Sequence, residues 1–144
     1  MDGLTVLKYK EHIWELGCSY RSKAKPVLLL SIFSLIHNQT FKTNKIVPNK
    51  ELIASYYDNW EKYNPGKKAT PINYPLYHLS TDKFWHIIEW PGKEVKPPQR
   101  HSPSMKDIRE CVEYFCVDED LFEQLHDDFA YEMLTRTLIE KHLI

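Results

Sequence analysis

The sequence predicts an α+β domain that is mostly helical and carries a small winged-helix-like antiparallel β-sheet. Three observations predict it. Apolar residues recur at helical spacing through most of the chain. Two aromatic, β-prone runs, Leu76 to Ser80 and Phe84 to Trp90, flank the turn Thr81-Asp82-Lys83. A proline-rich loop, residues 91 to 103, suits neither regular structure. The length of 144 residues, with 42% hydrophobic and 27% charged positions, is that of one globular domain able to bury roughly two-thirds of its unfolded surface.

Val6, Tyr9, Ile13 and Leu16 form a helical stripe that stops at Gly17. A basic connection over residues 18 to 25 leads to Pro26, which suits a helix start because its missing N–H would be unpaired there anyway. Val27 to Ile36 is apolar nearly all round, which places this helix at the centre of the core. Phe41 to Val47, closed by Pro48, reads as a small strand. Asn49 caps a helix whose Leu52, Ile53, Tyr56, Tyr57 and Trp60 share a face, ending near Asn64-Pro65-Gly66. Pro71 to Pro75 reads as extended, and the hairpin follows. Ser104 caps a helix bearing Ile108, Cys111, Val112 and Phe115. Two acidic helices close the chain, Glu119 to His126 and Phe129 to His142. The middle order of helix, strand, helix, strand, turn, strand matches a winged helix, a frequent nucleic-acid-binding module.

No apolar run approaches the roughly 20 residues of a membrane span. The N-terminal Met1-Asp2-Gly3 has no secretory pattern, so a cytoplasmic location is expected. Three cysteines, Cys18, Cys111 and Cys116, are odd in number and lack a CxxC pair, against a disulfide framework or a structural zinc. The net charge of −1 conceals an asymmetry. Residues 1 to 106 hold 16 Lys or Arg against 9 Asp or Glu, and residues 107 to 144 hold 3 against 11. One domain over 1–144 is expected, its winged-helix-like part at about 18–103 basic and its C-terminal helices at 104–144 acidic. The basic part suits a polyanion, although two solvated faces of opposite sign give the same balance.

The seven histidines form no H-E-x-x-H pair and no zinc-spaced cluster, and no phosphate-cradling glycine loop or G-x-S-x-G elbow is present. No cofactor or metal is expected. His78 and His86 read as cross-strand neighbours in the hairpin, a structural role. Asp82 with Glu94-Val95-Lys96 superficially matches a nuclease pattern, two carboxylates for magnesium and a lysine for the attacking water. Such a triplet arises readily by chance in a chain this rich in charge, and Glu94 and Lys96 border a proline-rich loop. Binding remains. The lysines between Lys42 and Lys96, with Arg100, could neutralise phosphates or merely confer solubility.

Four segments in order, Lys23-Ala24-Lys25-Pro26-Val27-Leu28-Leu29-Leu30, Asn44-Lys45-Ile46, Pro71-Ile72-Asn73-Tyr74-Pro75-Leu76-Tyr77-His78-Leu79 and Phe84-Trp85-His86, resemble the sulfur-binding domain of modification-dependent restriction proteins. Val117 to Phe122 and the last helix are similar to that domain's closing segment. In that family the domain recognises DNA in which sulfur replaces a non-bridging phosphate oxygen, and an HNH nuclease domain often follows it. The resemblance implies that Tyr74 and Pro75 form the sulfur hollow and that Arg100, with His101 beside it, is a later basic contributor. It implies a basic loop before Pro26; Ala24 stands where the family often has histidine or arginine, which leaves Lys23 and Lys25 as the charged candidates. On the residues alone, Tyr74-Pro75 also reads as the entry to an edge strand.

The expected function is therefore a non-catalytic module that binds phosphorothioate-modified double-stranded DNA as the sensor of a bacterial restriction or defence protein. The alternatives are a winged-helix DNA- or RNA-binding regulator indifferent to sulfur, and a magnesium-dependent nuclease using Asp82, Glu94 and Lys96.

Overall fold

The computed structural model describes residues 3–17, 23–95 and 102–144. Helix α2 (Ala24–His37) runs through the core and is buried at every position from Ala24 to Phe33. Pro26 costs it no hydrogen bond, because the first backbone bond of the helix is Val27 N–H to the Lys23 carbonyl. Leu28, Leu29, Ile32, Phe33 and Ile36 are fully buried, each worth roughly 1.5–3 kcal/mol. Around α2 pack α3 (Lys50–Tyr63), α4 (Asn73–His78) and α7 (Asp128–Leu138), and α7 in turn carries α1 (Gly3–Trp14). The Ser31 hydroxyl donates to the Val27 carbonyl and accepts from Asn59 Nδ2 at 2.9 Å, tying α2 to α3 inside the core.

The helix starts follow the sequence. Asn49 Oδ1 accepts from Leu52 N, Ser104 Oγ from Asp107 N at the start of α5 (Met105–Cys111), and Asp127 Oδ2 from Ala130 N at the start of α7. After α7 the chain continues as a π turn over Ile139–Leu143. At the C-terminal end of α2, Gln39 takes a left-handed conformation with φ 72°, the position where glycine or asparagine is usual.

The sheet is small and antiparallel, as expected, but its strands are not the expected hairpin. β1 (Trp85–Glu89) pairs with β2 (Val112–Val117), which follows α5 directly. Leu76 to Ser80 is helical instead, in α4 and a single 3-10 turn at Leu79–Thr81. Pro75, read as the end of an extended stretch, sits in the first turn of α4, where no donor is lost. The helix started by Ser104 ends at Cys111, and the β-branched and aromatic run Val112 to Val117 becomes the strand. The expected strand Phe41 to Val47 contributes one bridge, in which Ile46 and Phe115 exchange both backbone hydrogen bonds. The winged-helix order is therefore not the topology of this chain.

Beside that bridge, Asn44 acts as a strand residue through its side chain. Its Nδ2 donates to the Val117 carbonyl and its Oδ1 accepts from Val117 N at 3.0 Å. The acidic segment after β2 is stitched to α1 and β1. Tyr9, fully buried, places its hydroxyl against Asp120 and 2.7 Å from Asp118 Oδ2. Lys8 pairs with Asp120, and His86 Nε2 lies 2.6 Å from Asp118 Oδ1. Burial, and then the two carboxylates, push the Tyr9 phenol far above its usual range, while the Tyr9 hydroxyl holds Asp120 below the usual carboxylate range. No helix among the described residues is long and apolar enough to cross a membrane.

Candidate nucleic-acid interface

Helix α4 carries the residues singled out in the sequence. Pro75 is buried against the core, whereas Tyr74 is half-buried. Because α4 is a helix, Tyr74 and His78 fall one turn apart on the same face, and their ring centroids lie 4.3 Å apart with a 40° tilt. His78 Nε2 lies 3.0 Å from Ser102 Oγ, and Asn73 Nδ2 donates to the Pro103 carbonyl at 2.9 Å. The chain following His101 is thereby pinned to both ends of α4. Arg100 and His101 themselves lie outside the described residues, as does Lys96.

Lys25 belongs to the same neighbourhood from the opposite side. Its ammonium donates to the Gly17 carbonyl at 2.8 Å, to Asp82 Oδ2 at 2.9 Å and to Thr81 Oγ1 at 3.1 Å, which uses all three of its protons. Asp82 Oδ1 accepts from Gly17 N at 2.9 Å, so the pair clamps the end of α1, the start of α2 and the turn after α4. The Thr81 hydroxyl continues to the His78 carbonyl. Burial, and then the Lys25 charge, lower the His78 pKa and keep its imidazole neutral near pH 7. Lys23 is held differently: its ammonium reaches the Leu143 carbonyl at 3.2 Å and the Tyr63 carbonyl at 3.4 Å.

Lys25, Tyr74 and Pro75 are thus gathered around α4 and its C-terminal turn, and Lys23 lies at the ends of α3 and the chain. Both lysines engage protein acceptors. The sequence reading gives His78 a cross-strand role in the hairpin, whereas the structure places it on α4. In a helical reading, the Tyr74–His78 spacing of four predicts the ring contact. Of the candidate nuclease group, Asp82 is engaged by Lys25 and Gly17, Glu94 is exposed and Lys96 lies outside the described residues; no group of three His, Cys, Asp or Glu suited to a metal occurs among the described residues.

No protein-family model matches the chain, nor does any curated protein sequence. Solved structures share its fold, among them two of ScoMcrA. One is that of the Type IV phosphorothioation-dependent restriction endonuclease ScoMcrA, with a TM-score of 0.67 at 18% identity over 91% of this chain and 24% of that one. The other is the sulfur binding domain and SRA domain of ScoMcrA complexed with phosphorothioated DNA, with a TM-score of 0.68 at 17% identity over 90% of this chain and 41% of that one. The chain spans about a quarter of the first and about two-fifths of the second.

Proposed function

We propose that this chain is a DNA-binding domain that senses phosphorothioate-modified double-stranded DNA, the recognition part of a bacterial restriction or defence protein, with no catalytic role of its own. The observation that carries this reading is the fold shared over nine-tenths of the chain with a structure of a sulfur binding domain and its neighbour on phosphorothioated DNA. The arrangement on α4 supports it, since a half-buried aromatic ring stands beside a buried proline and an imidazole whose pKa burial lowers.

A phosphorothioate keeps the charge of the diester, but its sulfur is larger, more polarisable and a poorer hydrogen-bond acceptor than oxygen. An apolar wall accepts sulfur with good dispersion contacts. An oxygen placed there gives up hydrogen bonds to water without replacement, at a cost on the order of 1–3 kcal/mol. In this reading the Tyr74 ring is the wall, and Pro75 presets the backbone of the turn that carries it. Arg100 and His101, which directly precede Ser102 in the sequence, supply cationic contacts to the remaining oxygen and neighbouring phosphates. Lys25, neutralised by Asp82, holds the turn after α4 in place, and Lys23 adds positive field.

The test is a titration of two duplexes identical but for one sulfur, at one salt concentration. Tighter binding of the sulfur-bearing duplex supports the reading. Equal affinities mean a plain DNA binder, and binding to neither removes the DNA reading altogether.

A further inference from the structure

A second apolar hollow lies away from α4, between the Val47-Pro48 segment, β2 and α5. It is a cleft of about 270 Å³, and Pro48, Trp90, Ile108, Arg109, Val112 and Tyr114 are among its lining. Trp90 and Val47 are 47% and 38% exposed, both on this cleft. The Trp90 position is fixed, because its backbone N–H donates to the Cys111 carbonyl and its carbonyl accepts from Lys93 N. Arg109 reaches across the cleft to the Pro48 carbonyl at 3.4 Å, and the Lys45 ammonium lies 5.4 Å from the centre of the Tyr114 ring.

We propose that this cleft is a stacking site for an unpaired nucleobase of DNA. The proposal rests on the reading that the chain binds DNA, and not on recognition of sulfur. Three features select a base. Among otherwise largely aliphatic walls, Trp90 and Tyr114 offer flat aromatic faces, and base-on-aromatic stacking needs only a flat face. The volume is below the roughly 300–1,000 Å³ of pockets that enclose whole small ligands, and suits a single ring system. Its rim carries two cations, the Lys45 ammonium over the Tyr114 ring and the Arg109 guanidinium at the Pro48 carbonyl, against Glu113. A base arrives attached to phosphates, which that rim attracts. An extended peptide would instead seek the open edge of β2. That edge is already taken at Phe115 by Ile46 and at Val117 by the Asn44 side chain, and Pro48 has no N–H to give.

The test measures binding of a short oligothymidylate against an abasic oligonucleotide of the same length and charge, for the unaltered chain and for Trp90→Ala, with the phosphorothioate duplex titrated in parallel. The bases should tighten binding by about tenfold or more, and Trp90→Ala should abolish that margin while leaving the affinity for the abasic strand unchanged. Tyr114→Leu should reduce the same margin, and circular dichroism establishes that both variants are folded. Equal affinity for oligothymidylate and the abasic strand overturns the stacking site. If the phosphorothioate duplex still binds in that case, the sensor reading stands without it. Failure to bind any of the three polymers overturns both.

Discussion

The Lys25 ammonium lies 2.9 Å from Asp82 Oδ2, with both side chains about nine-tenths buried. The pair joins three segments that meet nowhere else in sequence: Gly17 at the end of α1, Lys25 at the start of α2, and Thr81-Asp82 after α4. A lysine chosen from the sequence as a phosphate contact thus proves in the free protein to be the bolt that holds the turn behind Tyr74. Removing one partner of such a pair strands the other as an uncompensated buried charge.

Lys25→Ala should therefore destabilise the fold by about 3–5 kcal/mol, and the double variant Lys25→Met/Asp82→Leu by much less. Urea unfolding of the three proteins checks this. Equal losses in the single and double variants would contradict the clamp. Under conditions where Lys25→Ala remains folded, it should weaken binding to sulfur-bearing and ordinary duplexes by similar factors, because it shifts the turn as a whole and makes no contact with the sulfur itself.

Asn44 supplies in its side chain the two hydrogen bonds that a neighbouring strand would give Val117, which is buried to 1% exposure. Asn44→Ala leaves both backbone groups without that partner and should cost about 1–3 kcal/mol. Asn44→Asp should be no better, since it loses the donor and adds a charge beside Glu119, which now accepts from Nδ2 at 3.0 Å. Chemical denaturation resolves both, and a stability loss in Asn44→Asp that falls well short of Asn44→Ala would argue against the strand-mimic role.

Replacing Tyr9 by Phe removes the hydroxyl shared by Asp118 and Asp120, at a cost of about 1.5 kcal/mol given that both carboxylates retain some solvent access. The Asp120 carboxyl, now held below its usual value of 3.8, should titrate higher in the variant. Its lowered pKa contributes stability that is present above 3.8 and lost as the pH falls through the folded value. Carboxyl carbon chemical shifts followed through the acid range show whether the Asp120 midpoint moves upward; an unmoved midpoint would contradict the bond.

His78 and His142 both have pKa values lowered from 6.5, first by burial. In each case the unfolded chain binds a proton more readily than the folded one, so stability is complete above pH 6.5 and declines below it toward the folded values. His78→Gln should remove part of that decline. Unfolding free energies measured from pH 8 downward, a range bracketing the ordinary histidine pKa of about 6.5, test the slope, and an identical slope in the variant would show that His78 is not buried neutral.

Much of the fold was legible in local sequence. The caps Asn49 and Ser104, the stripe Val6-Tyr9-Ile13 and the all-apolar α2 each rest on interactions within a few residues, and each lies where expected. The sheet was not legible, because its pairing joins β1 to a strand some 25 residues on, with Trp85 opposite Val117, and no local turn signals that partner. Leu76 to Ser80 misled for a related reason. Its Leu76 and Leu79 are buried in helical turns on the α2 side, and that tertiary packing outweighs the modest β-preference of the run. At the candidate interface, Tyr74 and Pro75 were named from resemblance, whereas the Lys25–Asp82 pair spans 57 positions and His78 depends on the helical phase of α4.

The central claim is that sulfur is preferred through unequal desolvation at an apolar wall, while charge supplies affinity without preference. The ratio of the two dissociation constants, for sulfur-bearing and ordinary duplexes, measured across a salt series for the unaltered chain and for Tyr74→Ala, tests it most directly. Both affinities should fall as salt rises while their ratio stays constant, and Tyr74→Ala should bring the ratio close to one. A ratio that collapses with salt, or that survives intact in Tyr74→Ala, would contradict the account.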